Sequence, residues 1–278
     1  MEAHLHQSPA DFEPFERTVY RRDPVLFTSE LTVLRTAPWP TERILLSVTD
    51  KNGVAGAAVQ TRDSVLLVNG LPAETATTAV EALAAARANL SGARGTPATA
   101  TAFTQAWHRV TGVQAAESSR DVLYRLGELT PPSGVAGAWR TAGTRDEETV
   151  VPWLNEFFIE AFDEPSNLEA SKAMLTSMGD AGDHVLLWAV NGEPVSMARV
   201  RAAAVGTSRI GPVYTPPEHR GHGYAAAVTA AAVQFAHREG ASEVVLFADS
   251  ANPVSNRVYR RIGFEPVAED VRYTLNGN

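Results

Sequence analysis

The sequence of 278 residues contains no cysteine, which excludes disulfides, thiolate metal ligands and a thiol nucleophile. It also lacks long hydrophobic runs. No stretch approaches the roughly 18 apolar residues of a membrane-spanning helix, and the alanine-rich segment from Ala225 to Val233 is short and only weakly hydrophobic. A basic surplus is missing too: 24 Lys and Arg stand against 32 Asp and Glu, a net charge of −8, which argues against non-specific nucleic-acid binding. Met1 to Glu16 is acidic and proline-containing rather than basic then apolar, so a secretory leader is not expected. There is no G-x-S-x-G serine elbow, no Lys-Ser or Lys-Thr after a glycine-rich loop, and no G-x-G-x-x-G. His219 and His222 flank Arg220 with no carboxylate at a metal-like spacing, so no metal site is expected. These absences describe a soluble, cytoplasmic protein without disulfide, metal or membrane.

What is present begins with size. A chain of this length divides into about two domains, and 44% hydrophobic residues are enough for two cores. The segment Thr130-Pro131-Pro132-Ser133-Gly134-Val135-Ala136-Gly137 reads as a linker, its prolines, glycines and small residues having little to bury. The division is residues 1–130, a linker at 131–139, and residues 140–278. Charge is unequal: 12 basic and 14 acidic residues precede the linker, 12 and 18 follow.

The halves echo one another. Ile44 to Val48 runs through Asn52-Gly53 into Val54 to Val59, and Val185 to Val190 runs through Asn191-Gly192 into Pro194 to Val200. Both read as β-hairpins turned at Asn-Gly, and a duplicated unit is the expectation. In the second half a helix starts at Thr144, with Glu147 completing a capping box and Pro152 delaying or kinking it. Ser166 and Glu169 suggest a second capped helix ending near Met178-Gly179. Strands follow at 184–190, 194–205 and 208–214, a helix at 222–238, a strand at 243–248, a helix at 253–262 and a strand at 271–275.

Two stretches carry chemistry. In Ile210-Gly211-Pro212-Val213-Tyr214-Thr215-Pro216-Pro217-Glu218-His219-Arg220-Gly221-His222-Gly223-Tyr224-Ala225 a strand ends in a proline-stiffened turn and a glycine-rich loop opens into an alanine-rich helix. Glycines let the backbone approach a ligand closely, the first-turn N–H groups have no partner inside the helix, and the dipole adds about half a positive charge. A pyrophosphate suits such a place; a tight helix entry without ligand has the same look. The second stretch is Asp249 to Phe264. There Asn252 suits an N-cap, Pro253 the first helical position and Gly263 a left-handed stop. Asn252, Asn256 and Tyr259 would share one helix face, as a site or as a capped, packed helix.

Arg220-Gly221-His222-Gly223-Tyr224-Ala225 resembles the Arg/Gln-x-x-Gly-x-Gly/Ala signature of the GNAT superfamily of acyl-CoA-dependent N-acyltransferases. Downstream, Asn252 to Phe264 is similar to that family's Asn-x-x-(Ala/Ser)-x-x-x-Tyr-x-x-x-Gly-Phe element. The resemblance covers about residues 140–278 and reaches the first half only as a degraded echo. It implies an α+β fold of two tandem GNAT-like domains, each a mixed, mostly antiparallel sheet flanked by helices, splayed in the second half at Pro212 to Thr215. It implies acetyl-CoA as co-substrate. Pantetheine would lie along Val213, Tyr214 and Thr215, and the pyrophosphate on Arg220, Gly221, His222, Gly223, Tyr224 and Ala225, with Asn252 and Asn256 nearby. Tyr259 is implied as proton donor to the departing thiolate, and a backbone N–H near Val213 as oxyanion donor. An acceptor amine would attack directly, without a covalent enzyme intermediate. For the base, Glu193, Asp249, Glu160, Asp163, Glu164 and a water chain stay open.

Between Arg145 and Glu169 eight acidic residues face one basic residue. The family's acceptor side lies there, so this rim either steers a cationic amine or is a solvated helix face. The expected reaction is acetylation of a small-molecule amine, less readily of a protein amine. The rivals are another acyl donor, or an acyl-CoA-binding module without turnover. In the first half, the turn from Leu66 to Glu74 lacks the arginine and paired glycines, and the tyrosine position falls near Trp107. Residues 1–130 therefore read as a half without acyl-CoA binding, covering sheet surface, shaping the acceptor cleft or standing in for a dimer partner. Monomer and homodimer both stay open.

Overall fold

The computed structural model describes residues 1–35, 43–60, 65–162 and 165–276. Two compact units emerge, Met1–Leu123 with Val267–Asn278, and Tyr124–Pro266.

The first unit runs β1 (Glu2–Leu5), α1 (Pro9–Val19), α2 (Thr28–Arg35), β2 (Leu45–Asp50), β3 (Gly53–Gln60), β4 (Val65–Leu67), α3 (Ala76–Ala85), β5 (Gly92–Gly95), α4 (Pro97–Thr111) and β6 (Gln114–Leu126). Strands β1 to β4 pair antiparallel in succession, and β4 pairs β5 in parallel. The helix α1 starts as its sequence dictates, with Ser8 accepting the Asp11 N–H at 3.2 Å and proline in the first turn. Leu46, Val48, Ala58 and Leu66 of the sheet are buried with Ala79, Val80 and Leu83 of α3 and Phe103 and Trp107 of α4.

The second unit contains β7 (Ala138–Thr141), α5 (Glu147–Phe162), α6 (Leu168–Asp180), β8 (His184–Val190), β9 (Glu193–Val200), β10 (Thr207–Tyr214), α7 (Tyr224–Arg238), β11 (Glu243–Asp249) and α8 (Pro253–Arg261), and ends at the start of β12 (Phe264–Asn276). Strands β7 to β10 are antiparallel and β10 pairs β11 in parallel. Asn191 and Gly192, at φ +52° and +91°, form the hairpin turn between β8 and β9, the conformation that favours Asn-Gly. On one face Val150 and Leu154 of α5 and Met178 of α6 meet Val185, Leu187, Met197 and Tyr214. Helix α7 packs on β8 to β11; its buried residues include Ala227, Ala230, Ala231 and Ala232, so its backbone can approach the sheet closely.

Several expectations change. The last strand was assigned to residues 140–278, yet residues 267–276 belong to the first unit: Val271 to Thr274 pair antiparallel with Gly95 to Gly92. Gly92 permits this, since a Cβ there would lie 2.3 Å from the Tyr273 carbonyl oxygen. Arg94 adds ion pairs to Asp270 and Asp121. The linker region lies inside the second unit, where Ala136 accepts the indole N–H of Trp188 at 2.8 Å and Ala138 opens β7. Residues 144–146 form a 3₁₀ turn before α5, and the Gly143 N–H goes to Asp146 rather than to a Thr144–Glu147 box. Asn167, not Ser166, caps α6, accepting the Ala170 N–H at 2.9 Å.

One polar group in the first unit is costly. Glu30 is fully buried on α2. Burial, opposed by its own backbone N–H, by the Asn69 side chain and by Arg94 and reinforced by Asp270, pushes it up to about 7. The folded chain thus holds a proton that the unfolded chain releases near pH 4.5. The associated stability is present below that pH and is lost as pH rises through 7, about 3 kcal/mol in full. Glu30→Gln is therefore expected to melt above the native protein at pH 8 and to converge with it near pH 5. Parallel melts across that range check this, and identical pH slopes would contradict it.

Candidate functional site

The second unit's chemistry is set by where β10 and β11 part. Their pairing runs from Thr207↔Glu243 to Ile210↔Leu246 and stops, although β10 continues to Tyr214 and β11 to Asp249. On its other edge β10 stays with β9 through Val213↔Ala198 and Tyr214↔Met197, after a register shift beyond Ile210. Gly211, at φ +132°, takes up that irregularity. A V therefore opens between the two strands, and Pro212 to Thr215 lie along one arm of it, where the splay was expected.

Beyond the arm a 3₁₀ turn, Pro217–His219, leads into Arg220 to Gly223. Gly221 and Gly223 both sit at φ +82°, and no side chain caps α7. The loop is exposed, and a Cβ on Gly221 would meet nothing within 4 Å. Free first-turn N–H groups, a helix dipole and open space make this a cradle into which a diphosphate fits. His222 stacks on Tyr224, with ring centroids 5.4 Å apart.

The mouth of the V is acidic and tightly organised. Tyr214 is buried, and its hydroxyl lies 2.9 Å from Glu156 Oε2 and 3.2 Å from Glu160 Oε1. A phenol has one proton and can donate to only one of these carboxylates at a time. Burial first, then the two glutamates, push that phenol well above its ordinary value. Trp153 lies beside it, with ring centroids 6.4 Å apart. Arg220 does not point into the loop alone: its Nε donates to the Thr215 carbonyl at 2.9 Å, and Nη2 to Glu160 at 2.9 and 2.7 Å. Ser196 supports the arm, donating to the Tyr214 carbonyl at 3.0 Å with its Oγ 2.8 Å from the Thr215 hydroxyl.

On the other arm, Asn252 caps α8 by accepting the Ser255 N–H at 3.1 Å. Both Asn256 amide hydrogens are engaged: Nδ2 donates to the carbonyls of Asp249 and Asn252 at 2.8 and 2.7 Å, and Oδ1 accepts from Tyr124 at 2.7 Å. These two residues build the turn after β11. Tyr259, partly buried on α8, packs against Tyr124 and Phe264. Burial pushes its phenol up to about 12, so it stays protonated at any working pH.

Among the base candidates, Glu193 opens β9 and Asp249 closes β11, both exposed and both at the sheet end where the V opens. Asp249 Oδ1 accepts the Ala251 N–H, and Glu160 is paired with Arg220. Asp163 and Glu164 lie outside the described residues. Glu156 escaped the sequence reading, although its spacing of four from Glu160 on an amphipathic helix was the available signal. The helix carrying both is anchored at its start by Asp146, which takes the Arg140 fork at 2.7 and 2.6 Å. Among the described residues no three His, Cys, Asp or Glu side chains group as a metal would require, and no helix is long and apolar enough to cross a membrane.

The first unit differs at the corresponding place. Pro72 and Pro216 enter their 3₁₀ turns with the same φ −53° and ψ 150°; counting back, Asn69 falls at the position of Val213. Asn69 Oδ1 accepts the Thr96 N–H at 2.6 Å, linking the ends of the two strands, and Val68 N–H donates to the Arg94 carbonyl at 2.8 Å. Counting from the leading prolines of α4 and α8, the counterpart of Tyr259 is Phe103 rather than Trp107, because α4 is the longer helix.

Residues 148–264 match the sequence model described as acetyltransferase (GNAT) family. No curated protein sequence matches significantly. Among solved structures, the chain is similar to a GNAT-family acetyltransferase from Colwellia psychrerythraea (TM-score 0.66, 12% identity, 100% of both chains covered). It is similar to a GCN5-related N-acetyltransferase from Kribbella flavida (0.61, 22%, 94% of this chain and 96% of that one). A tandem GNAT protein from the clavulanic acid biosynthesis pathway is also similar (0.61, 16%, 100% and 99%). At these identities the likeness is one of fold, and it spans both units.

The Asp146 anchor has a measurable signature. The Arg140 fork and the Gly143 N–H hold its carboxyl at about 2, against an ordinary 3.8. The stability this brings is present above pH 4 and is lost as pH falls through 2. Asp146→Asn should cost about 2 kcal/mol at pH 7 and progressively less below pH 4. Urea titrations at pH 7 and pH 2.5 test this; an equal loss at both would assign the effect to packing instead.

Proposed function

We propose that the chain, whose residues 148–264 match the acetyltransferase (GNAT) family model, transfers an acetyl group from acetyl-CoA to the primary amine of a small molecule. One observation carries the reading: β10 and β11 part after Ile210↔Leu246, beside a helix, α7, whose N-terminus no side chain caps.

When bound, acetyl-CoA supplies an activated thioester carbonyl, at which the new C–N bond forms as the C–S bond breaks. The proton the attacking amine gives up balances the one the departing thiolate takes, so amine and thioester become amide and free thiol; the chain's part is to bind and aim. The N–H groups of Gly221 to Ala225 and the α7 dipole would hold the diphosphate. The edge of β10 at Val213, which β11 leaves unpaired, would take the pantetheine amides as an added strand. The same edge offers a backbone N–H for the developing oxyanion. Glu156 and Glu160 give the acceptor side a negative field that favours an ammonium. Tyr259 would hydrogen-bond the leaving sulfur. With its phenol near 12 and a thiol near 8.5, full proton transfer is uphill, so its help is that of a donor.

The first unit, with Asn69 bridging its strand ends, fits a supporting role without acyl-CoA binding. The direct test is release of free CoA from acetyl-CoA with a panel of polyamines, aminoglycosides, arylalkylamines and amino acids. Acetyl-CoA binding without release by any of them would favour a non-catalytic acyl-CoA-binding module.

Two variants sharpen the reading. Gly223→Asp is expected to weaken acetyl-CoA binding by roughly 100-fold or more, through strain at a positive φ of about 1–2 kcal/mol and a carboxylate facing the diphosphate. Gly223→Ala keeps the strain and the approach of a Cβ to Val135 Cγ2, 3.2 Å away, without the charge, and calorimetry in which both variants bind like the native protein would contradict the cradle. Tyr259→Phe should lower kcat on the order of 10- to 100-fold with little change in the acetyl-CoA KM. Because burial pushes the phenol up to about 12, the native rate should show no loss from this group between pH 8 and 10. A Phe variant with the native rate across that range would remove the role.

A further inference from the structure

Resting on that reading, we propose that Arg220 is a positioning residue for the acceptor side of the site and not a ligand of the diphosphate. Its motif position suggests the diphosphate, but its contacts lie elsewhere. Nε is taken by the Thr215 carbonyl and Nη2 by both oxygens of Glu160, while the guanidinium stands 5.9 Å from the centre of the Tyr214 ring. Arginine grips phosphate well through a two-nitrogen fork. A guanidinium has two such forks, Nε with Nη2 and Nη1 with Nη2, and here both contain a nitrogen already engaged. The cradle has its own donors: an uncapped helix start and two glycines at φ +82°. Diphosphate binding therefore does not require Arg220 to let go.

What Arg220 does instead is join the end of β10 to the last turns of α5. That hold keeps Glu160 beside the Tyr214 hydroxyl and neutralises it, leaving Glu156 with the phenol as its hydrogen-bond partner. The cluster around Tyr214 then carries two carboxylates and one guanidinium, a surplus of one negative charge. Without Arg220, two carboxylates would crowd a single phenolic proton, and both the placement and the charge of the acceptor side would change.

The test uses the full chain and coenzyme A itself as probe. Calorimetry should give Arg220→Gln and Glu160→Gln a CoA Kd within about threefold of native, while Gly223→Asp loses binding. A loss of about tenfold or more in Arg220→Gln overturns the proposal. So does a comparable tightening in Glu160→Gln, which would mean that Glu160 withholds Arg220 from the diphosphate. Kinetics with the amine giving the fastest CoA release should show kcat/KM for that amine falling about tenfold or more in Arg220→Gln, with the acetyl-CoA KM unchanged. Arg220→Lys keeps the charge but not the two-point hold and should resemble the Gln variant; full rescue by Lys overturns the hold. If native protein fails to bind CoA at all, the function proposed above falls, an outcome distinct from any selective loss in a variant.

Discussion

Two parallel strands that stop bonding to one another halfway leave backbone groups that must find partners elsewhere. In the second unit this happens after Ile210↔Leu246. Each arm of the resulting V is held from outside. On one side β10 keeps its pairing with β9, reinforced by Ser196 on the Tyr214 carbonyl. On the other, the end of β11 is fastened by Asn256, whose amide binds the Asp249 carbonyl and whose carbonyl receives the Tyr124 hydroxyl. The inner edges keep unused peptide groups, whose pairing falls to solvent or to a ligand with amides of its own. A site held open in this way loses little entropy when such a ligand arrives.

Charge is partitioned around that opening. A protein of net charge −8 that is to bind a diphosphate needs positive potential at one place only, and main-chain N–H groups at the start of α7 supply it without a cluster of lysines. At the mouth, a few residues away in sequence, Arg220 faces Glu160 and Tyr214 faces Glu156. The start of α7 thus favours an anion and the Tyr214 cluster a cation, as the proposed transfer between an anionic donor and a cationic acceptor requires. The proximity of Tyr214 to both glutamates ties the strand that would bind the donor to the helix that would receive the acceptor.

The parts of this arrangement governed by local chemistry were legible in the sequence. Asn191-Gly192 announces the β8–β9 hairpin, Gly221 and Gly223 the entry to α7, and Asn252-Pro253 the start of α8; each appears within about two residues of its expected place. What escaped reading depends on partners distant in the chain. Alternation marks residues 271–275 as a strand but does not say which strand they join, and the room at Gly92 that decides it lies about 180 residues earlier. Arg220 and Glu160 are 60 residues apart, and a motif that names the arginine is silent on its carboxylate. Asn256 was a candidate ligand because an amide on a helix face can bind many things; only the turn's geometry shows that both of its donors are spent internally.

The two units show how little separates an open cleft from a closed one. Both enter the turn after the fourth strand of their sheet through a proline of identical backbone conformation. Three residues before it, one unit carries Val213, whose side chain cannot hydrogen-bond, and the other carries Asn69, whose side-chain oxygen takes the Thr96 N–H from the end of the neighbouring strand. A valine leaves the strand edge to a ligand; an asparagine supplies the bond itself and removes the reason for a ligand to enter. On the proposed reading, the absence of a glycine pair ahead of α3 follows from this, since a helix start with no cleft beside it has less use for an anion. In that order of dependence the cleft comes first and the cradle second, and the residues of the GNAT signature matter because β10 and β11 have already parted.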